Sequence, residues 1–245
     1  MRGLGTLVNL ATVAVGGVAG VYLGHRLPER IRETIMQGLG LVTLAVAIVG
    51  LEPLFDKDLG LRRAVILIAS LTAGAVIGEL LRLEERLERL GETLRRRFAG
   101  KSDDRIETRR NFVEGFVVAS TVFCVGPLTV LGSVEDGLGL SVRLLTIKSA
   151  LDGIAAIGFA SVYGWGVLAS LFTILIVQGA FTALAIFVDP LLTGEVLAQL
   201  GVVGSLLVAG IGLRLLEIKN VRVVSLTPAL LIGPLAAGLV DSILK

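Results

Sequence analysis

Apolar runs of about twenty residues recur along this chain, separated by short stretches that gather most of its charge. A helix of that length rises through the roughly 30 Å of hydrocarbon in a bilayer. Only elements that satisfy their own backbone hydrogen bonds persist there. The pattern predicts an all-α integral membrane protein. Eight segments qualify, at residues 3–24, 36–54, 63–81, 112–132, 140–162, 165–188, 196–215 and 222–242. Composition agrees: 54% of residues are hydrophobic and 18% charged, against about 45–50% and 25% in soluble domains. Arg2 followed by an apolar run has the look of a leader, but glycines stand at every fourth position to Gly24 and no small-x-small cleavage site follows. It reads as the first span.

The connections alternate in charge. Arg26, Arg30 and Arg32 follow span 1, ten basic residues lie between Arg82 and Arg110, and Arg214, Lys219 and Arg222 follow span 7. The connections after spans 2, 4 and 6 carry Asp56, Asp58, Glu135, Asp136, Asp189 and Glu195 instead. The positive-inside rule makes the basic set cytoplasmic and places both termini outside. Tyr163-Gly164-Trp165-Gly166 forms a tight inner turn with two interfacial aromatics, and Arg26 to Glu33 read as an amphipathic surface turn before span 2. Residues 82–111 carry leucines at 83, 87 and 90, a helical stripe in a charged segment. That stripe suits a regulatory or lipid-binding helix, or simply an elbow lying on anionic headgroups. Residues 101–104 read as the turn back to the membrane.

Several motifs occur twice in the same order. Gln37-Gly38 and Gln178-Gly179 each open an apolar run that ends in an acidic residue, proline and leucine, at Glu52-Pro53-Leu54 and Asp189-Pro190-Leu191. Ser70 to Gly74 pairs with Ser205 to Gly210, and Gly126-Pro127-Leu128 with Gly233-Pro234-Leu235. The order predicts a tandem four-plus-four duplication, residues 1–135 and 136–245, with both halves entering the membrane in the same direction. Inverted repeats with broken helices are the alternative.

Lys148 and Asp152 stand one turn apart inside span 5, with Ser149 beside them. A charge at the centre of a membrane helix costs about 2.5–3.5 kcal/mol on insertion scales, so such residues usually serve a pathway. Asp152 could take a proton or cation while Lys148 neutralises it in one state, or Lys148 could hold an anionic group. A static ion pair locking span 5 to its neighbours is the competing reading. Under the duplication, Asn9 falls opposite this pair. Gln37, Gln178 and Thr121 add uncharged polar groups. Pro127 and Pro234, each after a glycine (Gly126, Gly233), remove a helical donor and free a carbonyl near Phe123 and Leu230. Gly16, Gly20 and Gly24, and Gly153, Ala156 and Ala160, read as close helix contacts.

His25 and Cys124 are each the only residue of their kind. That removes zinc sets, histidine triads and an intramolecular disulfide. The sequence holds no phosphate-binding glycine loop and no nucleophile elbow, so neither an enzyme nor a cofactor is expected. A net charge of +2 gives no reason to expect nucleic acid. The expected partners are the lipid bilayer and a small solute or monovalent ion, with self-association left open.

Gly5-Thr6-x-x-Asn9, Phe123-Cys124-Val125-Gly126-Pro127, Lys148-Ser149-x-x-Asp152-Gly153 and Gln178-Gly179 together resemble the YqgA/YdfK-like family, domain of unknown function 554. The resemblance covers nearly the whole chain. Pro127 departs from the small apolar residue more common there. It implies a prokaryotic plasma-membrane protein and a transport role, with no substrate. Secondary transport of a small solute or ion, coupled to H+ or Na+, is the function these residues lead one to expect. An ion channel, or a non-transporting scaffold or sensor acting through residues 82–111, is the alternative.

Overall fold

The computed structural model describes residues 2–98 and 106–244, and nearly all of them are helical. The expected turn at residues 101–104 lies outside the described residues. The helices are α1 (Leu4–Gly24), α2 (Glu29–Gly50), α3 (Gly60–Leu80), α4 (Leu83–Phe98), α5 (Ile106–Val125) and α6 (Pro127–Leu138). They continue with α7 (Arg143–Tyr163), α8 (Gly166–Ala183), the short α9 (Ala185–Val188), α10 (Gly194–Leu215), the short α11 (Val223–Leu226) and α12 (Ala229–Leu244). Among the described residues seven helical stretches are long and apolar enough to cross a membrane, and α5 with α6 adds an eighth if that bent pair is one span.

Most boundaries fall within a few residues of those expected, because bilayer thickness fixes the length of each apolar run. Two differ. The residues before span 2 are not a surface turn: α2 is continuous from Glu29, directly after Pro28, which suits a helix start because it offers no N–H. The sixth span ends early, with α8 stopping at Ala183 before α9 and a 3-10 turn at Asp189–Leu191.

The chain packs as two compact units, each drawn from both halves of the sequence. The first holds Met1–Leu39, Glu85–Cys124 and Leu128–Ile186; the second holds Gly40–Glu84, Val125–Pro127 and Phe187–Lys245.

The first unit is built on α1 against α7. A Cβ added at Gly16, Gly20 or Gly24 would overlap the backbone carbonyl of Gly153, Ile157 or Ser161 respectively. The rising register shows that the two helices run parallel. Backbones can come this close only where side chains are missing, and close van der Waals packing is the main attraction available between helices in lipid. The opposite side of α7 exposes Ile147, Leu151 and Ile154, an apolar stripe for lipid. Helix α5 joins through Phe123, whose ring lies 6.1 Å from that of Phe159. The turn between α7 and α8 depends on Gly164, at φ 67°, a conformation that side chains with a Cβ resist.

In the second unit α3 and α10 also run parallel. Arg63 meets Glu195 at their starts, and Glu84, just past the end of α3, meets Arg214 in the last turn of α10. Helix α12 packs antiparallel on both, with Gly74 against Ala229 and Gly233 against Ser70 and Val203. Helices α3 and α10 end alike, Arg82 and Glu217 each adopting a left-handed conformation at φ 50° and 56°. Spans 1 and 5, and 3 and 7, thus run parallel, as odd-numbered spans do in any chain that crosses the membrane at each of them.

Candidate functional site

Asp152 and Lys148 form a salt bridge within α7, and Asn9 of α1 donates its Nδ2 to the same Asp152 Oδ2 at 3.1 Å. Asn9 is fully buried, Lys148 is 5% exposed and Asp152 8%. The helical repeat places all three on protein-facing positions, because Gly16 and Gly153 bring α1 and α7 together one to two turns further on. Lys148 lies about 7.5 Å along α7 from Arg143 and Asp152 about 13.5 Å, at 1.5 Å per residue. The pair therefore occupies the first half of its span rather than its exact centre.

The other expected site residues separate into groups. Gln178 on α8 is fully buried, and neither of its amide atoms has a hydrogen-bond partner among the described residues. Gln37, its expected counterpart, is exposed on α2 and belongs to no buried site. Sequence spacing made the two glutamines look equivalent, but spacing does not fix which way a helix face turns. Ser149 and Thr121 are buried, and their hydroxyls donate to Leu145 and Val117 one turn back on their own helices. Those bonds use the proton of each hydroxyl and leave its oxygen able only to accept.

The two glycine-proline pairs behave differently. Helices α5 and α6 are bent by 61° about Gly126. Pro127 has no N–H to offer Phe123, and the Thr129 hydroxyl donates to that carbonyl instead at 3.1 Å. The freed acceptor is thus satisfied inside the protein and is not open to a solute. The break expected at Gly233 and Pro234 does not form: α12 runs through Pro234 unbroken. Proline's φ is already helical, and Gly233, held tightly between Val203 and Ser70, keeps the flanking turns in place.

Two charged groups escaped the sequence reading. Asp136 looks like a loop acid, yet it is 1% exposed, and its Oδ2 accepts the N–H groups of Gly5 and Thr6 at 3.0 and 3.3 Å. These are among the donors that the start of α1 cannot satisfy within its own helix, and a carboxylate also suits the positive end of the helix dipole. Asp136 borders a cleft of about 420 Å³ with Gly139, Leu140, Ser141, Val142 and Arg143. A Ser133-x-x-Asp136 spacing on an apolar helix was the only available signal. In the second unit, Arg63 forks onto Glu195 at 2.6 and 3.2 Å and donates to the Pro53 carbonyl at 2.9 Å. Arg62 adds a bond to the same Glu195 at 3.0 Å. This cluster ties α3, α10 and the 3-10 turn at Glu52–Phe55 together at one end. Nearby, Asp56 accepts the N–H groups of Leu59 and Asp58, which hold its carboxyl below the usual range.

The segment at residues 82–111 is helical where described, but leucines alone do not dock it. Glu84, Gly91 and Arg95 are its buried positions, while Leu90 is exposed. Glu84 accepts the Val224 N–H at 3.1 Å, and Gly91 seats the Phe116 ring.

A family model described as "Protein of unknown function (DUF554)" matches residues 4–237. The chain is 32% identical over 236 residues to "Uncharacterized protein YqgA" of Escherichia coli (strain K12), covering 96% of this chain and 97% of the relative. It is 26% identical over 230 residues to "Uncharacterized membrane protein YdfK" of Bacillus subtilis (strain 168), covering 94% and 93%. No solved structure matches the chain significantly. With the family model and these relatives matching along almost its whole length, this multi-pass membrane protein belongs to the DUF554 family, described as of unknown function.

Proposed function

We propose that this protein is a secondary transporter of a small solute or ion, driven by H+ or Na+, in which the Lys148–Asp152–Asn9 constellation is exposed alternately to the two sides of a plasma membrane. One observation carries the reading. Opposite charges are buried on the protein-facing side of a lipid-embedded helix, where apolar residues of the same volume would be at least as stable. Asn9 supplies one hydrogen bond and keeps a second polar atom without a partner among the described residues, which suits a site that exchanges partners better than a closed structural clamp.

The chemistry required is modest. Proton or cation binding at Asp152 releases Lys148, and the freed ammonium can then hold an anionic or polar group, so two charge states favour two conformations. In the present conformation the pair is sealed, so the mechanism needs a second one in which it is wet. Both termini lie outside in this reading, and neither a cofactor nor bond chemistry is involved.

Flux into proteoliposomes driven by imposed proton or sodium gradients tests the reading. Asp152→Asn should abolish coupled uptake while the protein elutes as a folded species. If wild type moves no solute or ion under either gradient, and deleting residues 82–98 abolishes the cellular phenotype while Asp152→Asn only lowers the melting temperature, the protein is a scaffold or sensor instead.

A further inference from the structure

The first unit contains a second feature that the ion pair does not use. Helices α1, α6 and α8 meet in one layer. The Thr6 and Thr182 hydroxyls are 3.3 Å apart, Asp136 accepts the Thr6 N–H, and a Cβ on Gly137 would overlap the Thr182 carbonyl. From this layer α1 runs inward with rising residue number, whereas α6 and α8 run inward with falling number. One turn inward, at three or four residues, each helix therefore presents one residue: Asn9 on α1, Ser133 on α6 and Gln178 on α8.

All three are fully buried. Asn9 Oδ1, Ser133 Oγ and both Gln178 amide atoms have no hydrogen-bond partner among the described residues. Buried polar atoms are almost always paired, and a few unpaired ones scattered through a protein would carry little meaning. Here three different helices place theirs one turn from the same layer, and Asn9 itself hydrogen-bonds the Asp152 carboxylate at 3.1 Å.

We propose that Asn9, Ser133 and Gln178, together with Asp152, bind one dehydrated monovalent metal cation. Two amide oxygens, a hydroxyl and a carboxylate form an all-oxygen donor set, which favours hard cations over soft ones. The charge count selects among them. Asp152 is the carboxylate that touches Asn9, and Lys148 already offsets it. Asp136, one turn outward from Ser133 and with its Oδ1 also without a partner among the described residues, is engaged through Oδ2 by the Gly5 and Thr6 N–H groups. A divalent ion, which usually recruits several carboxylates, would be left unbalanced. A monovalent ion takes the place of the Lys148 ammonium at Asp152 and leaves the net charge of the buried group unchanged once Lys148 turns away. The inference rests on the transport reading for its purpose, since this ion would be the coupling ion, but its chemistry can be tested separately.

The test is thermal unfolding of the purified full-length protein in detergent, titrated with NaCl, LiCl or KCl against choline chloride at equal ionic strength. One alkali cation should raise the melting temperature saturably. Ser133→Ala, which removes a hydroxyl with no partner among the described residues, should raise the half-saturating concentration at least tenfold, and Gln178→Leu should do the same or more. The inference is overturned if choline matches the alkali ions, as it will if the layer holds only water, or if a saturable shift survives unchanged in Ser133→Ala. The two readings fail separately. Gradient-driven flux without a cation shift removes the ion site and leaves transport standing. A cation shift without flux keeps the site and removes the transporter.

Discussion

Replacing Lys148 by Met leaves Asp152 buried with Asn9 as its one remaining hydrogen-bond partner of those described. Removing one member of a buried pair costs about 3–5 kcal/mol. An independent route gives a similar ceiling: protonating a carboxylate of ordinary pKa at pH 7 costs about 4 kcal/mol. The double variant Lys148→Met/Asp152→Leu removes both charges and keeps the volume, so it should lie within about 1 kcal/mol of wild type. The coupling between the two sites should therefore be at least 2 kcal/mol. For a chain of this size about 2–4 °C of melting temperature corresponds to each kcal/mol. The single variant should then melt about 6–20 °C below wild type, and the double variant should recover most of that. Circular dichroism during heating in detergent measures all four corners of the cycle. Additive effects, with coupling below about 0.5 kcal/mol, would refute the argument, because the two charges would then not be sharing one desolvated environment.

Other contacts give equally direct expectations. Gly16→Val should separate α1 from α7, since its first added carbon already meets the Gly153 carbonyl. A cost of 3 kcal/mol or more is expected, at or beyond the upper end for overpacking, whereas Gly38→Ala, with open space around it, should be neutral or stabilising by up to about 1 kcal/mol. Thr129→Val should cost about 1–3 kcal/mol by leaving the Phe123 carbonyl unpaired, and Thr129→Ser should restore most of it. Arg63→Lys keeps the charge but loses the fork onto Glu195. It should recover less than half of the stability lost in Arg63→Ala.

The spans could be read from the sequence because the bilayer imposes a length that few other constraints share. Which span packs against which could for the most part not be read, since outside a few polar positions such as Lys148 and Asp152 the lipid-facing and protein-facing sides are both apolar and amphipathicity gives little orientation. The glycines at 16, 20 and 24 were the exception: a row of missing side chains marks a close contact whatever its partner. The pairing of Lys148 with Asp152 followed from the helical repeat alone, and Asn9 from the repeated motifs. Gln37 was misplaced because a matching dipeptide says nothing of rotation about the helix axis. Pro234 was misread as a break because proline removes one hydrogen bond, and tight packing on both sides holds the remainder. Ser133 and Asp136 went unnoticed as site residues for a different reason. A lone serine in an apolar run has no signature, and an acid near a span end looks the same whether it meets water or caps a neighbouring helix.

For the buried pair to serve transport, water or solute must reach it in some conformation. In a Cys124→Ser background, which removes the single native cysteine, Ser149→Cys places a thiol at a 1% exposed position one turn from Asp152. Sealed vesicles of known orientation can then be treated with a membrane-impermeant thiol reagent from either side. Alternating exposure predicts labelling of the native protein, at a rate that changes when a sodium or proton gradient is imposed. A thiol that stays unlabelled from both sides, and reacts only after denaturation, would contradict it.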